Sequence, residues 1–221
     1  MSFVVTIDGP AGAGKSTVAR RLAQSMGIRY LDTGAIYRGI AYWLDGRGIL
    51  PDEEEKIAEN LSSLSVRIEA RGVFVNGEDV SGSIRTPRID RVVSAYAALK
   101  SVRDALIGLQ REQAEHGDLI ADGRDAGTVV FPEADLKIFL TASPEVRAER
   151  RYKELLRKGE AVVYPQVLAQ MRERDRLDSR REIAPLKEPK GAVHMDTSTM
   201  TEDVVVHELT FLIRGRMEQG L

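Results

Sequence analysis

Nine residues constrain this chain more than any others: GPAGAGKST, from Gly9 to Thr17. The run Phe3 to Ile7 before them is short, continuous and rich in β-branched residues, the pattern of a strand buried in a parallel sheet. After them Val18, Leu22 and Met26 recur every four residues as far as Gly27, the pattern of an amphipathic helix with a glycine stop. The stretch fits G-x-x-x-x-G-K-[ST] without a mismatch, and a strand-to-helix turn is the context that motif requires. Glycines let successive backbone N–H groups converge on phosphate oxygens, and the helix start adds partial positive charge. Gly9, Pro10, Ala11, Gly12, Ala13, Gly14, Lys15, Ser16 and Thr17 are therefore expected to bind the phosphates of a nucleoside triphosphate. Lys15 is suited to bridging the β- and γ-phosphates, and Ser16 to placing a hydroxyl on Mg²⁺.

The rest of the chain extends the same architecture. LIAD (Leu119 to Asp122), LKIFL (Leu136 to Leu140) and, more weakly, AVHM (Ala192 to Met195) read as further strands, and Tyr30-Leu31 as the end of a short one. Helical stretches are expected over about Pro144 to Lys158, Tyr164 to Arg174 and Thr201 to Met217, with Val205, Leu209 and Leu212 covering the sheet. Alternating strands and helices give an α/β fold with a parallel central sheet flanked by helices. One region breaks the rhythm. Val66 to Val80 alternates with period two around an Asn76-Gly77 turn signal, which predicts a small antiparallel insert; residues 89–115 then return as one or two helices.

Composition narrows the class. A chain of 221 residues with 43% hydrophobic and 30% charged residues is an ordinary globular protein. Its net charge of −2 supplies no general field for nucleic acid or anionic lipid. The absence of cysteine excludes thiolate chemistry, and the three scattered histidines are not spaced as metal ligands. No membrane span and no leader segment is read, so the expected location is cytoplasmic. The arginines between Arg147 and Arg181 are interleaved with acids and lack stacking aromatics, which argues against nucleic acid as a partner.

A triphosphate site alone leaves a phosphotransferase, a switch GTPase and a motor or transporter ATPase open. No guanine-reading NKxD stretch is present, and no acidic pair ends a strand to polarise a water: LIAD is followed by Gly123, Arg124 and Asp125. Three further clusters point to a second anionic substrate. LDTGAIYR offers Thr33, Tyr37 and Arg38, although Thr33 as a helix cap and Arg38 as a solvated charge explain it equally well. IADGRDAGTVVF places Arg124 and Asp125 at the C-terminal end of a central strand, where parallel sheets bind ligands, or else as a simple Arg–Asp pair. ERDRLDSRR, Glu173 to Arg181, ends a helix and read alone is a solvated face.

Taken in order, GPAGAGKST, LDTGAIYR, an insert ending in VSGSIRTPRI, GRDAGTVVFP and ERDxxDxxR resemble bacterial-type cytidylate kinase, a P-loop nucleoside monophosphate kinase family, from Phe3 to about Ser198. Ala126 stands where that family commonly has a larger aliphatic residue. The resemblance implies transfer of the γ-phosphoryl of ATP to CMP or dCMP with Mg²⁺ by a monomer. It also implies a core of about 1–35, 117–150 and 183–221, an NMP-binding insert of about 36–116 and a short lid of about 151–182. By motif match Thr33, Tyr37, Arg38, Ser94, Arg103, Arg124, Asp125, Arg174, Asp178 and Arg181 would line the acceptor site. Lys15, Arg38, Arg124 and Asp125 would be catalytic, and Asp122 an outer-shell Mg²⁺ group.

Within that frame the residue types make chemical sense. Phosphoryl transfer needs two anions positioned and their repulsion offset, so Arg38 and Arg124 would clamp the acceptor phosphate. Arg147, Arg150 or Arg151 could close over the transferred group. A carboxylate accepts from the cytosine N4 amino group, which assigns Asp125 to the base, with Ser94 and Arg103 on its acceptor edge and Asp178 on the sugar hydroxyls. The alternatives are a P-loop kinase of another small acceptor and a nucleotide-gated regulatory ATPase.

Overall fold

The computed structural model describes residues 2–69 and 72–219. In chain order, β1 (Val4–Asp8) leads through the glycine loop into α1 (Lys15–Met26), followed by β2 (Arg29–Asp32), α2 (Thr33–Asp45) and α3 (Glu54–Ser62). Next come β3 (Val66–Glu69), β4 (Gly72–Val75), β5 (Glu78–Asp79), α4 (Pro87–Tyr96) and α5 (Lys100–Glu112). After a 3-10 turn, Gln113–His116, the chain continues with β6 (Leu119–Gly123), a π-helical turn at Ala126–Val130, β7 (Leu136–Thr141), α6 (Pro144–Arg157), α7 (Tyr164–Ser179), β8 (Val193–Asp196) and α8 (Glu202–Gln219). These elements form two compact units, Met1–Leu31 with Gln113–Leu221, and Asp32–Glu112.

The larger unit is built on a five-stranded sheet of order β2-β6-β1-β7-β8. β1 pairs in parallel with both β6 and β7, and β7 in parallel with β8. With a neighbour on each edge and both faces covered, all five residues of β1 are buried, which is why its first part reads as an apolar run. Val5, Ile7, Ile138 and Leu140 of the sheet pack with Val18 and Leu22 of α1 and with Val205, Leu209 and Ile213 of α8. The expected stripe on α8 ended at Leu212; the structure keeps Leu212 partly buried and sends Ile213, four residues after Leu209, fully into the core. Gly9 is obligatory here. Its φ is +147°, and a Cβ would stand 1.9 Å from the Leu140 carbonyl oxygen, so the loop can leave β1 only by passing bare backbone over β7.

The smaller unit holds the antiparallel sheet β3-β4-β5, with Asn76 and Gly77 at positive φ in the turn the sequence signalled. Ala35, Val73, Val75, Val80 and Ile84 form its core, with Tyr42 and Trp43 packed against it as structural residues. The helix start at LDTGAIYR differs from expectation. Asp32, not Thr33, is the cap, accepting from the Ala35 N–H at 2.8 Å, because its carboxylate reaches the third amide of the helix from an extended backbone. Among the described residues no helix is long and apolar enough to cross a membrane.

Candidate functional site

The phosphate loop is braced from below by side chains that grip its backbone. Lys15 is buried and donates to the Pro10 carbonyl at 2.8 Å. Burial pushes its pKa well below the usual lysine range, and the nearby Arg124 and Arg174 push the same way against Asp122 and Asp8. A neighbouring polyanion is the partner such a strained cation calls for. Ser16 Oγ donates to Asp122 Oδ2 at 2.7 Å, and Tyr30 Oη donates to Asp122 Oδ1 at 2.8 Å. Arg147 donates to the carbonyls of Ala142 (2.8 Å) and Ala11 (3.0 Å) and pairs with Asp175 at 2.7 Å. Arg150 donates to the Ala13 carbonyl (3.4 Å), Thr197 Oγ1 (3.1 Å) and the Thr197 carbonyl (2.7 Å). Of the three arginines among which one was expected to close over the transferred group, Arg147 and Arg150 contact loop carbonyls, and Arg151 pairs with Glu154 at 2.7 Å.

Ser16 and Asp122 bring a hydroxyl and a carboxylate together at the start of α1, beside the loop. These are hard oxygen donors, the type Mg²⁺ prefers. No group of three or more His, Cys, Asp or Glu side chains that could hold a metal occurs among the described residues. A cation here would therefore draw most of its ligands from phosphate and water, the usual arrangement for Mg²⁺ in phosphoryl transfer.

At the C-terminal end of β6 the chain turns through Arg124 and Asp125. Arg124 does not simply pair with its neighbour. Its Nε donates to Asp178 Oδ2 of α7 at 2.9 Å, and Arg181 bonds the other oxygen of the same carboxylate. Asp178 is 1% exposed. Burial alone would raise its pKa, but Arg124, Arg181 and Arg174 outweigh burial and hold it at about 2. The ERDRLDSRR segment is exposed over Glu173, Arg176, Ser179 and Arg180, yet it also supplies one buried anion, Asp178, among three arginines. Asp125 is buried beside this cluster's first arginine in sequence.

In the smaller unit Arg38 is not solvated either: it donates to the Ile84 carbonyl at 3.2 Å and pairs with Asp90. Arg103 is buried, donates to the Ala97 carbonyl at 2.9 Å and stacks its guanidinium 5.2 Å from the centre of the Tyr37 ring. Thr33 and Ser94 are buried as well. The structure thus gathers Lys15, Ser16 and Asp122 in one unit, and Tyr37 with Arg103 and Arg38 with Asp90 in the other.

Sequence reasoning passed over Asp8, Tyr30, Asp90 and Thr197. Asp8 carried the clearest signal, an acid at the end of an otherwise buried strand and next to the phosphate loop. Its two oxygens accept the Ala126 N–H at 2.8 Å and the Gly127 N–H at 2.7 Å.

A family model described as Cytidylate kinase matches residues 5–215. The chain belongs to the cytidylate kinase family. A cytidylate kinase from Caldanaerobacter subterraneus subsp. tengcongensis is 47% identical over 214 residues, 97% of this chain and 96% of that protein. One from Mycobacterium leprae is 46% identical over 215 residues, with 97% and 96% covered. In fold alone, the chain is similar to the crystal structure of a gluconokinase from Sinorhizobium meliloti, with a TM-score of 0.51 at 15% identity, over 99% of this chain and 95% of that one. The matched residues include the glycine loop and the GRDAGTVVFP and ERDxxDxxR motifs.

Proposed function

We infer that the chain is an ATP-dependent CMP kinase, moving the γ-phosphoryl of ATP onto the phosphate of CMP to give ADP and CDP. The match to the cytidylate kinase family from residue 5 to residue 215 carries this reading. The bond from the γ-phosphorus to the β,γ-bridging oxygen breaks, its electron pair stays on ADP, and a CMP phosphate oxygen takes the phosphoryl group. No side-chain nucleophile is required.

The finer assignments follow from residue chemistry. The backbone N–H groups of the Gly9 to Thr17 loop, Pro10 having none, and the Lys15 ammonium hold the donor phosphates, and the carbonyl contacts of Arg147 and Arg150 keep those groups aimed outward. Mg²⁺ would be held by Ser16, with Asp122 orienting its shell, and when bound would neutralise charge on the donor phosphates. Arg38 and Arg124 clamp the acceptor phosphate, and both are already oriented by a carboxylate partner, so little rotamer entropy remains to be lost. Asp125 accepts from the cytosine amino group, Ser94 and Arg103 address the acceptor edge of the base and Asp178 the sugar hydroxyls, with Thr33, Tyr37, Arg174 and Arg181 as further acceptor-site residues. dCMP is accepted as well as CMP. Residues of about 36–116, most of the unit Asp32–Glu112, serve as the NMP-binding insert and residues of about 151–182 as the lid. The protein works as a cytoplasmic monomer.

ADP production from ATP and Mg²⁺ tests this reading across CMP, dCMP, UMP, AMP and shikimate. The expected result is acceptor-dependent turnover led by CMP or dCMP. Equal ADP release without any acceptor would instead mark a regulatory ATPase, and a lead by another acceptor would mark a different kinase.

A further inference from the structure

Asp8 is the feature of the larger unit that phosphate binding leaves unexplained. It is fully buried at the end of the strand that delivers the phosphate loop, with Gly9 following it directly. A buried carboxylate persists only where donors replace its lost water. Here the donors are two consecutive backbone amides, Ala126 and Gly127, at 2.8 and 2.7 Å. They open the π-helical turn that comes immediately after Arg124 and Asp125. The fit is tight from the other side too. A Cβ on Gly127 would lie 2.6 Å from Thr6 Oγ1, 3.1 Å from Asp8 Oδ2 and 3.1 Å from Pro189 Cγ, so only glycine lets the turn reach the strand. Two charged groups act on the carboxylate: Lys15 favours its ionised form and Asp125 opposes it. Burial, only partly offset by the two amides, raises its pKa to about 6, which leaves it mostly ionised at neutral pH.

We propose that Asp8 is a positioning residue for base choice: it pins the Arg124–Asp125 turn to the phosphate-loop strand, so that Asp125 meets the amino edge of the acceptor base in one orientation. The proposal rests on Asp125 being the base reader, as inferred above. Asp8 itself touches no substrate and acts only through the turn. A residue that merely filled the core would influence stability alone, and one that merely supported the phosphate loop would influence ATP binding. A residue that aims Asp125 influences the choice between cytosine and uracil, because discrimination by hydrogen bonding depends on where the acceptor stands. In Asp8→Asn, one of the two amides faces an NH₂ donor instead of an acceptor oxygen, and the latch loses half its bonds.

The test compares kcat and KM for CMP, UMP and ATP in the full-length wild type, Asp8→Asn, Gly127→Ala and Asp125→Asn. In Asp8→Asn the ratio of kcat/KM for CMP to that for UMP is expected to fall about tenfold, mainly through KM for CMP, with KM for ATP changed less than about threefold. Gly127→Ala, which breaks the same latch without altering charge, is expected to follow it. If Asp125→Asn collapses the ratio while the other two variants keep it and only melt earlier, Asp8 is structural, the proposal falls and the base reader stands. If Asp125→Asn leaves the ratio unmoved, the base reader falls and the proposal with it. Should both latch variants fail to fold, the wild type decides: the Ala126 and Gly127 amide resonances are expected to shift on addition of CMP and not of UMP. Equal shifts with both nucleotides would overturn the proposal.

Discussion

The glycine loop and the Arg124–Asp178–Arg181 cluster both gather positive charge, yet they are held in different ways. In the loop the useful groups are backbone amides, and their aim is set from the carbonyl side: Arg147 holds Ala11 and Arg150 holds Ala13. In the cluster the useful groups are guanidinium side chains, and their aim is set by one buried carboxylate between them. A backbone site keeps its shape when a single charge is removed, because nine residues and a helix start define it. A side-chain site organised around one anion loses its reference point when that anion goes. The loop should therefore separate catalysis from stability, whereas the cluster should not.

The largest effect expected is at Lys15. Lys15→Met removes the cation proposed for the donor phosphates and should lower kcat by about a thousandfold or more. Its melting temperature should hold or rise, because the ammonium is buried against its ordinary preference and the substitution ends that cost. A melting temperature that fell by ten degrees or more would blur the contrast with the cluster. Arg124→Ala comes next. KM for CMP should rise about a hundredfold while KM for ATP stays within about threefold, and Arg124→Lys should recover little, since an ammonium cannot serve both Asp178 and a phosphate as a planar fork does. Steady-state kinetics with each substrate varied in turn would check both.

Asp178→Asn leaves Arg124 and Arg181 without their shared anion and should cost about 3–5 kcal/mol at pH 7 in urea unfolding. Because the folded-state pKa of Asp178 is depressed from 3.8 to about 2, its stabilisation is fully present above pH 3.8 and is lost as pH falls toward 2. The gap between wild type and variant should thus be flat from pH 7 to pH 5 and close at lower pH. As a control, Arg176→Ala on the same helix removes only an exposed pair with Glu173 and should leave the melting temperature unchanged. A comparable loss at Arg176 would mean that α7 as a whole, and not the buried anion, carries the effect.

The same contrast explains how much of the molecule could be read from its residues. The loop is local: strand, glycines, lysine and helix occupy one continuous stretch, and each leaves its own periodicity. The hairpin was legible for the same reason, through alternation around Asn76-Gly77. Helix α3 was not, since Ile57 is its only fully buried residue and so few apolar positions make no stripe. The pairings were hidden by sequence distance. Arg38 meets Asp90 52 positions away, and Arg124 meets Asp178 54 positions away, with nothing in either local stretch to name the partner. The turn at Ala126–Val130 depends on Asp8, which lies 118 positions before Ala126. Asp178 was visible as a charged residue of a motif, but that it is the buried centre of three arginines emerges only when α7 is packed against the end of β6.

Direct transfer between two bound nucleotides is the central claim, and a single-turnover experiment reaches it without relying on any variant. With enzyme in excess over ATP labelled at the γ-phosphate, and with CMP and Mg²⁺ present, rapid quenching should recover the label in CDP, one for each ATP consumed, with none bound to protein at any time. Label in inorganic phosphate while CMP stays unchanged, or label trapped on the chain, would contradict it.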